Sequence, residues 1–196
     1  SIPSAAGLGG GSSDAAATLR GLNQLWKLNL SQDDLAQLGA KIGSDVPYFI
    51  YGGTCVVTGR GEKVKKVKDL KTKWMTVILL PLAMPNKTAK IYSYINPYHY
   101  SGGEYSSRLL DKLGPNNGGN NFQSELFNVF ERVYSTQFKQ FSYWIDKLQS
   151  MGITPIHLAG SGPAVYFISS SREKVRDITR LLEGSGLSNY VARTVP

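Results

Sequence analysis

The chain has 196 residues, 41% hydrophobic and 18% charged, enough for one ordinary domain or two small ones, and this balance excludes a largely disordered protein. With 22 Lys plus Arg against 14 Asp plus Glu the formal charge is +8, so anionic partners are favoured, whether nucleotide phosphates or nucleic acid. The single cysteine, Cys55, excludes an internal disulfide framework and a cysteine-based zinc cluster, and no apolar run reaches the roughly 18 residues of a membrane helix.

The chain opens in its most glycine-dense stretch, Pro3-Ser4-Ala5-Ala6-Gly7-Leu8-Gly9-Gly10-Gly11-Ser12-Ser13-Asp14, which reads as a start in the middle of a domain. Ala15, Leu19, Leu22 and Trp26 then recur at helical spacing and predict a helix from about Ser12 to Trp26. Ser31 followed by Asp34 fits a capping box, with Leu35, Leu38 and Ile42 as the apolar stripe of a second helix that Gly43 ends. Ser44-Asp45-Val46-Pro47 reads as another helix start, and Thr54 to Thr58 as a β-branched strand. The lysine run from Lys63 to Lys73 reads as a solvated strand edge and linker, and a domain boundary is placed near Lys71, giving units 1–71 and 72–196.

Trp74 to Leu80 has the character of a buried strand. Between residues 96 and 121, Asn96-Pro97 and Pro115 to Asn121 read as surface loops around a short helix near Tyr105 to Leu113. Helices are expected from about Phe122 to Val133 and from Phe138 to Met151. The end of the chain then reads as strand (Pro155 to Ala159), tight loop (Gly160 to Pro163), strand (Ala164 to Ile168), helix (Arg172 to Glu183) and strand (Tyr190 to Val195). The second half is therefore β-α-β-β-α-β with extra helices, a split βαβ sheet with helices on one face.

Three constellations carry chemistry. In the first loop, glycines without Cβ let backbone N–H groups converge on an anion, and the following helix adds its positive end, which is how proteins bind phosphate. Two serine hydroxyls of the loop supply further donors, or an oxygen for Mg2+. No Gly-Lys-Ser/Thr closes the loop, so it is not a Walker sequence, and the bland alternative is a flexible linker, which rarely runs straight into an amphipathic helix. In the second, Asp45 in Gly43-Ser44-Asp45-Val46-Pro47 is either a base for an attacking hydroxyl or simply a helix cap. The third, Ala159-Gly160-Ser161-Gly162-Pro163 between two apolar strands, reads as a turn that brings backbone close to a ligand. His99 and His157 have no motif around them.

Together these segments resemble the kinases of galactose, homoserine, mevalonate and phosphomevalonate, the GHMP kinases. The wording is nearest to the branch acting on 4-diphosphocytidyl-2-C-methyl-D-erythritol, from Gly7-Leu8-Gly9-Gly10-Gly11-Ser12-Ser13-Asp14, Gly43-Ser44-Asp45-Val46-Pro47-Tyr48-Phe49, Gly59-Arg60-Gly61-Glu62 and Gly160-Ser161-Gly162-Pro163. The resemblance runs from Ser1 to the end of the chain and implies an α+β, two-domain GHMP kinase fold. In it the C-terminal part of the ATP-binding domain is followed by a ferredoxin-like split βαβ domain. It also implies ATP and Mg2+ as cofactors, Pro3, Ser4, Ala5, Ala6, Gly7, Leu8, Gly9, Gly10, Gly11, Ser12 and Ser13 around the ATP phosphates, Asp45 as catalytic aspartate, and Gly160, Ser161 and Gly162 as the third superfamily motif. Thr88 resembles a substrate contact, and Tyr92 either stacks on the cytosine or covers a core edge.

The partner implied is a small-molecule substrate of isoprenoid precursor synthesis, with no nucleic acid and no membrane, in a bacterial cytoplasm or a plastid stroma. The family carries a catalytic lysine upstream of the glycine loop, and no lysine here matches it, so this chain by itself is expected to be inactive. Alternatives are another GHMP member such as homoserine kinase or diphosphomevalonate decarboxylase, a nucleotide-binding protein without transfer activity, and, weakest, an RNA-binding domain.

Overall fold

In the computed structural model residues 2–69, 71–82, 87–113 and 122–195 are described, and the chain divides into one unit of residues 1–4, 9–70 and 195–196 and another of residues 5–8 and 71–194. The first unit contains helices α1 (Gly10–Leu25), α2 (Gln32–Ile42) and α3 (Val46–Tyr51), followed by strands β1 (Cys55–Thr58) and β2 (Lys63–Lys66). The start of α2 is fixed as the sequence predicts. Asp34 N–H donates to Ser31 Oγ at 3.1 Å and the Asp34 carboxylate accepts Ser31 N–H at 3.0 Å, closing the capping box.

The buried stripe of α2 is narrower than Leu35, Leu38 and Ile42. Leu38 is 38% and Ile42 60% exposed, whereas Leu35, Ala36 and Gly39 are buried. Small residues take the inner positions because neighbouring helices approach closely, a Cβ on Gly39 lying only 2.8 Å from Val46 Cγ1. The core of this unit is Ala16, Leu35, Ala36, Val46 and Ile50. Part of the lysine run becomes β2, which pairs antiparallel with β1 from Cys55↔Lys66 to Thr58↔Lys63. Its lysines stay exposed and half-buried Val64 sits across from Val57.

The second unit is built on a four-stranded sheet. Strands β3 (Trp74–Leu79), β4 (His157–Leu158), β5 (Ala164–Ser169) and β6 (Ser188–Arg193) lie in the order β4-β5-β3-β6, every neighbouring pair antiparallel. Helices α4 (Lys87–Ser93), α5 (Glu104–Leu113), α6 (Val129–Gln137) and α7 (Lys139–Ser150) join β3 to β4, and α8 (Arg172–Leu181) joins β5 to β6. This is the expected split βαβ arrangement, with β5 inserted between β3 and β4. Ile78, Leu158, Val165 and Phe167 of the sheet pack with Ile91, Val133, Tyr134, Leu148, Val175 and Ile178 of the helices in one core.

Three segments differ from expectation. Residues 122–128 do not continue into α6. They form a 3-10 turn over Gln123–Glu125, and Asn128 caps α6 by accepting Phe130 N–H at 3.0 Å. Only His157 and Leu158 of the segment Pro155 to Ala159 pair as a strand, since Pro155 has no N–H for the ladder. Helix α4 is an element that apolar periodicity does not announce. The predicted loop Pro115 to Asn121 lies outside the described residues.

Candidate active site

Helix α1 starts with no side-chain cap. Gly9 occupies the N-cap in the left-handed region (φ 69°), its carbonyl accepts Ser13 N–H at 2.9 Å, and no acidic side chain stands in the first turn. The first N–H groups of a sixteen-residue helix are thus open at the end of a glycine loop, an arrangement suited to an anion. The same loop is twisted upstream, with positive φ at Ala5 (53°) and Gly7 (78°). Within the first unit Gly9 presses on α3, where a Cβ would stand 2.6 Å from Phe49 Cζ. Arg20 of α1 also donates to the Phe49 carbonyl at 3.0 Å.

Asp45 is the N-cap residue of α3, with αR backbone (φ −90°, ψ −12°), and its exposed side chain makes no capping hydrogen bond. Asp45 and Phe49 are four residues apart and share a face, so the carboxylate stands at the helix end one turn from the ring that Gly9 touches. The backbone beside Asp45 is held from the other side. The β1–β2 turn places Gly61 (φ 119°) where a Cβ would come within 2.0 Å of the Ser44 carbonyl oxygen. Glu62 braces the turn by accepting Arg60 N–H at 2.7 Å, and backbone contacts at Glu62 and Arg60 hold its carboxyl below the usual range. The segment Gly59-Arg60-Gly61-Glu62 thereby fixes the peptide that precedes Asp45.

In the second unit the turn Ala159–Pro163 joins β4 to β5. Gly162 N–H donates to the Ala159 carbonyl at 2.8 Å, and φ is positive at Gly160 (50°) and Gly162 (69°). Residues 5–8 of the glycine loop lie on this turn. Ala164 N–H donates to the Ala6 carbonyl at 3.2 Å, and a Cβ on Gly7 would be 2.2 Å from the Ala159 oxygen. The turn is held from behind by side chains. Asn128 Nδ2 donates to the carbonyls of Leu158 (2.9 Å) and Gly160 (2.8 Å), and Tyr134 Oη donates to that of Ser161 (3.0 Å). Lys87 Nζ donates to the Gly162 carbonyl.

Lys87, which no motif in the sequence marks, is 7% exposed, and burial pulls its pKa below the usual lysine value. Thr88, next to it on α4, is exposed, as is Tyr92 at 58%, whose ring meets Phe130 edge-on at 4.9 Å. A cavity of about 300 Å³ adjoins the turn, lined among others by Tyr105, Phe127, Glu131, His157, Gly160 and Tyr166. Burial raises the Glu131 carboxyl, pushes Tyr166 up to about 12 and lowers His157. Among the described residues no three His, Cys, Asp or Glu side chains gather into a metal cluster, and no helix is long and apolar enough to cross a membrane.

The family profile described as GHMP kinases N terminal domain matches residues 1–53. The chain is 36% identical over 195 residues to the 4-diphosphocytidyl-2-C-methyl-D-erythritol kinase of Dehalococcoides mccartyi, covering 99% of this chain and 68% of that one. It is 39% identical over 199 residues to the kinase of the same name from Bacillus subtilis, covering 99% and 66%. A crystal structure of 4-(cytidine 5'-diphospho)-2C-methyl-D-erythritol kinase superposes with a TM-score of 0.80 at 25% identity, over all of this chain and 68% of that one. A homoserine kinase from Cytophaga hutchinsonii shares the fold at a TM-score of 0.71 and 17% identity, over 99% of this chain and 67% of that one. The chain thus spans about two thirds of the length of the curated relatives it matches. It belongs to the GHMP kinases, in the family of the 4-diphosphocytidyl-2-C-methyl-D-erythritol kinases.

Proposed function

We propose that the protein transfers the γ-phosphoryl group of ATP to the 2-hydroxyl of 4-diphosphocytidyl-2-C-methyl-D-erythritol, a step of the non-mevalonate route to isoprenoid precursors, in the cytoplasm. The observation that carries this reading is the uncapped start of α1 behind a glycine loop. Pro3, Ser4 and Ala5 to Ser13 would wrap the ATP phosphates, with the helix N–H groups as fixed donors that need no reorganisation as charge develops. Asp45 would accept the proton of the attacking hydroxyl as its oxygen bonds to phosphorus and the bond to ADP breaks. Its open side chain supports that role over capping.

Gly160, Ser161 and Gly162 would hold backbone against the reacting phosphates, while Thr88 contacts the substrate and the exposed ring of Tyr92 stacks on its cytosine. Mg2+ fits the donor set, since it asks for one or two protein oxygens besides phosphate and water, and the hydroxyls of Ser12 and Ser13 are the residues to provide them. Bound there, it would neutralise charge on the transferring group. The partner is this small molecule rather than nucleic acid.

The test is an ADP-release assay of the complete enzyme, rather than of these 196 residues by themselves, with ATP and a panel of the diphosphocytidyl substrate, homoserine, mevalonate and mevalonate diphosphate. Turnover with the first, lost in Asp45→Asn, is expected. Turnover with another alcohol, or ATP binding without any turnover, would replace the assignment.

A further inference from the structure

A different cavity of the second unit, of about 370 Å³, is lined among others by Lys73, Lys174 and the consecutive serines Ser169, Ser170 and Ser171. It is remote from the β4–β5 turn, because β5 leaves the turn at Ala164 and reaches this cavity at Ser169, about 17 Å further along the strand. Lys73 ends the lysine run that reads as solvated in the sequence, yet it is only 4% exposed. Its ammonium donates to Ser170 Oγ at 2.8 Å and stands 5.6 Å from the centre of the Phe122 ring, while Lys174 Nζ stands 5.3 Å from that of Phe167. Both rings belong to the cavity wall, so two cations are held there against aromatic faces. No carboxylate of the described residues lines the cavity. In α8 Asp177 is paired with Arg180, and Glu173 is exposed and outside the lining; the stretch 114–121 that precedes Phe122 contains no acidic residue. Burying an ammonium without a counter-charge is costly, and a second cation in the same cavity adds to the cost.

The hydroxyls around these cations are donors as well. Ser169 Oγ accepts Ser171 N–H at 3.1 Å, Ser170 Oγ accepts the Lys73 ammonium, and Ser171 Oγ accepts Lys174 N–H at 3.2 Å. Each oxygen is thus used as an acceptor, and none of the three O–H protons has an acceptor of its own among the described residues. The Ile168 carbonyl of the lining is taken by Gln123 Nε2. Ser171 is also the N-cap of α8, so the positive end of a ten-residue helix opens on the same cavity. Ser170, Ser171 and Lys174 are exposed, which leaves the cavity accessible on their side, with Lys73 at its closed end. Two ammoniums, three hydroxyl protons and a helix start without an anion among them suit an oxyanion. A planar carboxylate offers two oxygens to so many donors, whereas a phosphate group offers three and a diphosphate more.

We propose that this cavity is an anion site separate from the nucleotide loop and from the β4–β5 turn, binding the phosphate or diphosphate group of a small molecule between Lys73, Lys174 and the hydroxyls of Ser170 and Ser171. The site goes beyond the kinase reading and does not depend on it. The alternative is that Lys73 is a strut that only ties β3 to Ser170. Lys73→Met tests this, because it keeps the length and the apolar stem against Phe122 and removes the charge.

The experiment is a titration of the full-length, 15N-labelled protein with inorganic phosphate, pyrophosphate and ATP at fixed ionic strength. The amide resonances of Ser169 to Glu173 are followed, so that an anion bound at the glycine loop does not register. Pyrophosphate should move these amides to saturation, with a Kd that rises roughly 10- to 100-fold in Lys73→Met, the worth of one charge-assisted contact, and roughly 3- to 10-fold in Ser170→Ala. Whichever of the three anions saturates them at the lowest concentration shows whether the group arrives free or on a nucleotide. Amides that stay in place with all three, or a Kd that Lys73→Met leaves unaltered, overturn the proposal. Should that variant not fold, Lys174→Met, at an exposed position, takes its place with an expected loss of roughly 10-fold, and an unaltered Kd there overturns the proposal equally.

Discussion

Gly7 is the position at which the glycine loop tolerates least. Its φ is 78°, and a Cβ there would stand 2.2 Å from the Ala159 oxygen, 2.8 Å from Gly162 N and 3.0 Å from the Gly162 oxygen, all backbone atoms that cannot rotate away. Holding alanine in the left-handed region costs about 1–2 kcal/mol. Relieving the overlap means drawing residues 5–8 off the turn, which gives up the bond from Ala164 N–H to the Ala6 carbonyl and loosens that from Gly162 N–H to Ala159, at about 0.5–1.5 kcal/mol each. Gly7→Ala should therefore destabilise the second unit by roughly 2–5 kcal/mol, and at about 2–4 °C per kcal/mol the melting temperature should drop visibly. Gly11 is the control. It lies inside α1 with nothing within 4 Å of a Cβ, so Gly11→Ala should leave stability unchanged or raise it by up to about 1 kcal/mol. Thermal denaturation by circular dichroism reads both. A Gly7→Ala protein melting within about 1 °C of the parent, or a Gly11→Ala protein harmed as much, would refute the idea that backbone approach rather than glycine flexibility explains this loop.

Asp45→Asn should leave the melting temperature within about 1 °C, because no capping bond is lost, while turnover falls by at least about a hundredfold with the base removed; a stable, active variant would exclude the catalytic role. Gly9→Val should weaken ATP binding by far more than Ser4→Ala, since a Cβ at φ 69° meets the Phe49 ring at 2.6 Å whereas Ser4 is exposed, and equal affinities by calorimetry would remove the loop from the nucleotide site. Burial lowers the pKa of His157, so the neutral ring stabilises the fold fully above about pH 6.5, and that contribution is lost as pH falls through the depressed value. Glu131, raised by burial in the same cavity, acts in the opposite sense, becoming favourable as it protonates. The His157 part is isolated by the melting difference between His157→Phe and the parent, which should shift in favour of the variant below about pH 6.5; a difference independent of pH would mean the imidazole is solvated.

What the sequence announced was what short-range chemistry decides. The capping box of Ser31 and Asp34, the glycine-led start of α1 and the turn between β4 and β5 each depend on residues within a few positions, and each stands where it is expected. The misjudged places depend on partners far along the chain. Asn128 reads as one more residue inside a helix, but the helix starts at it: it is the N-cap of α6, and its amide holds carbonyls 30 and 32 residues away. Leu38 and Ile42 fit a helical stripe, yet the tight approach of Val46 to Gly39 moves the buried face toward the small residues. Lys87 follows from the same logic. A turn whose carbonyls face inward requires donors, and the sequence of the turn states the requirement without naming what meets it. Asn128 and Tyr134 meet it from α6 and its cap, and Lys87 from α4 across 75 residues. An amide and a phenol would have sufficed in kind for the carbonyls. The use of a lysine for one of them adds a charge that the turn's carbonyls do not themselves need.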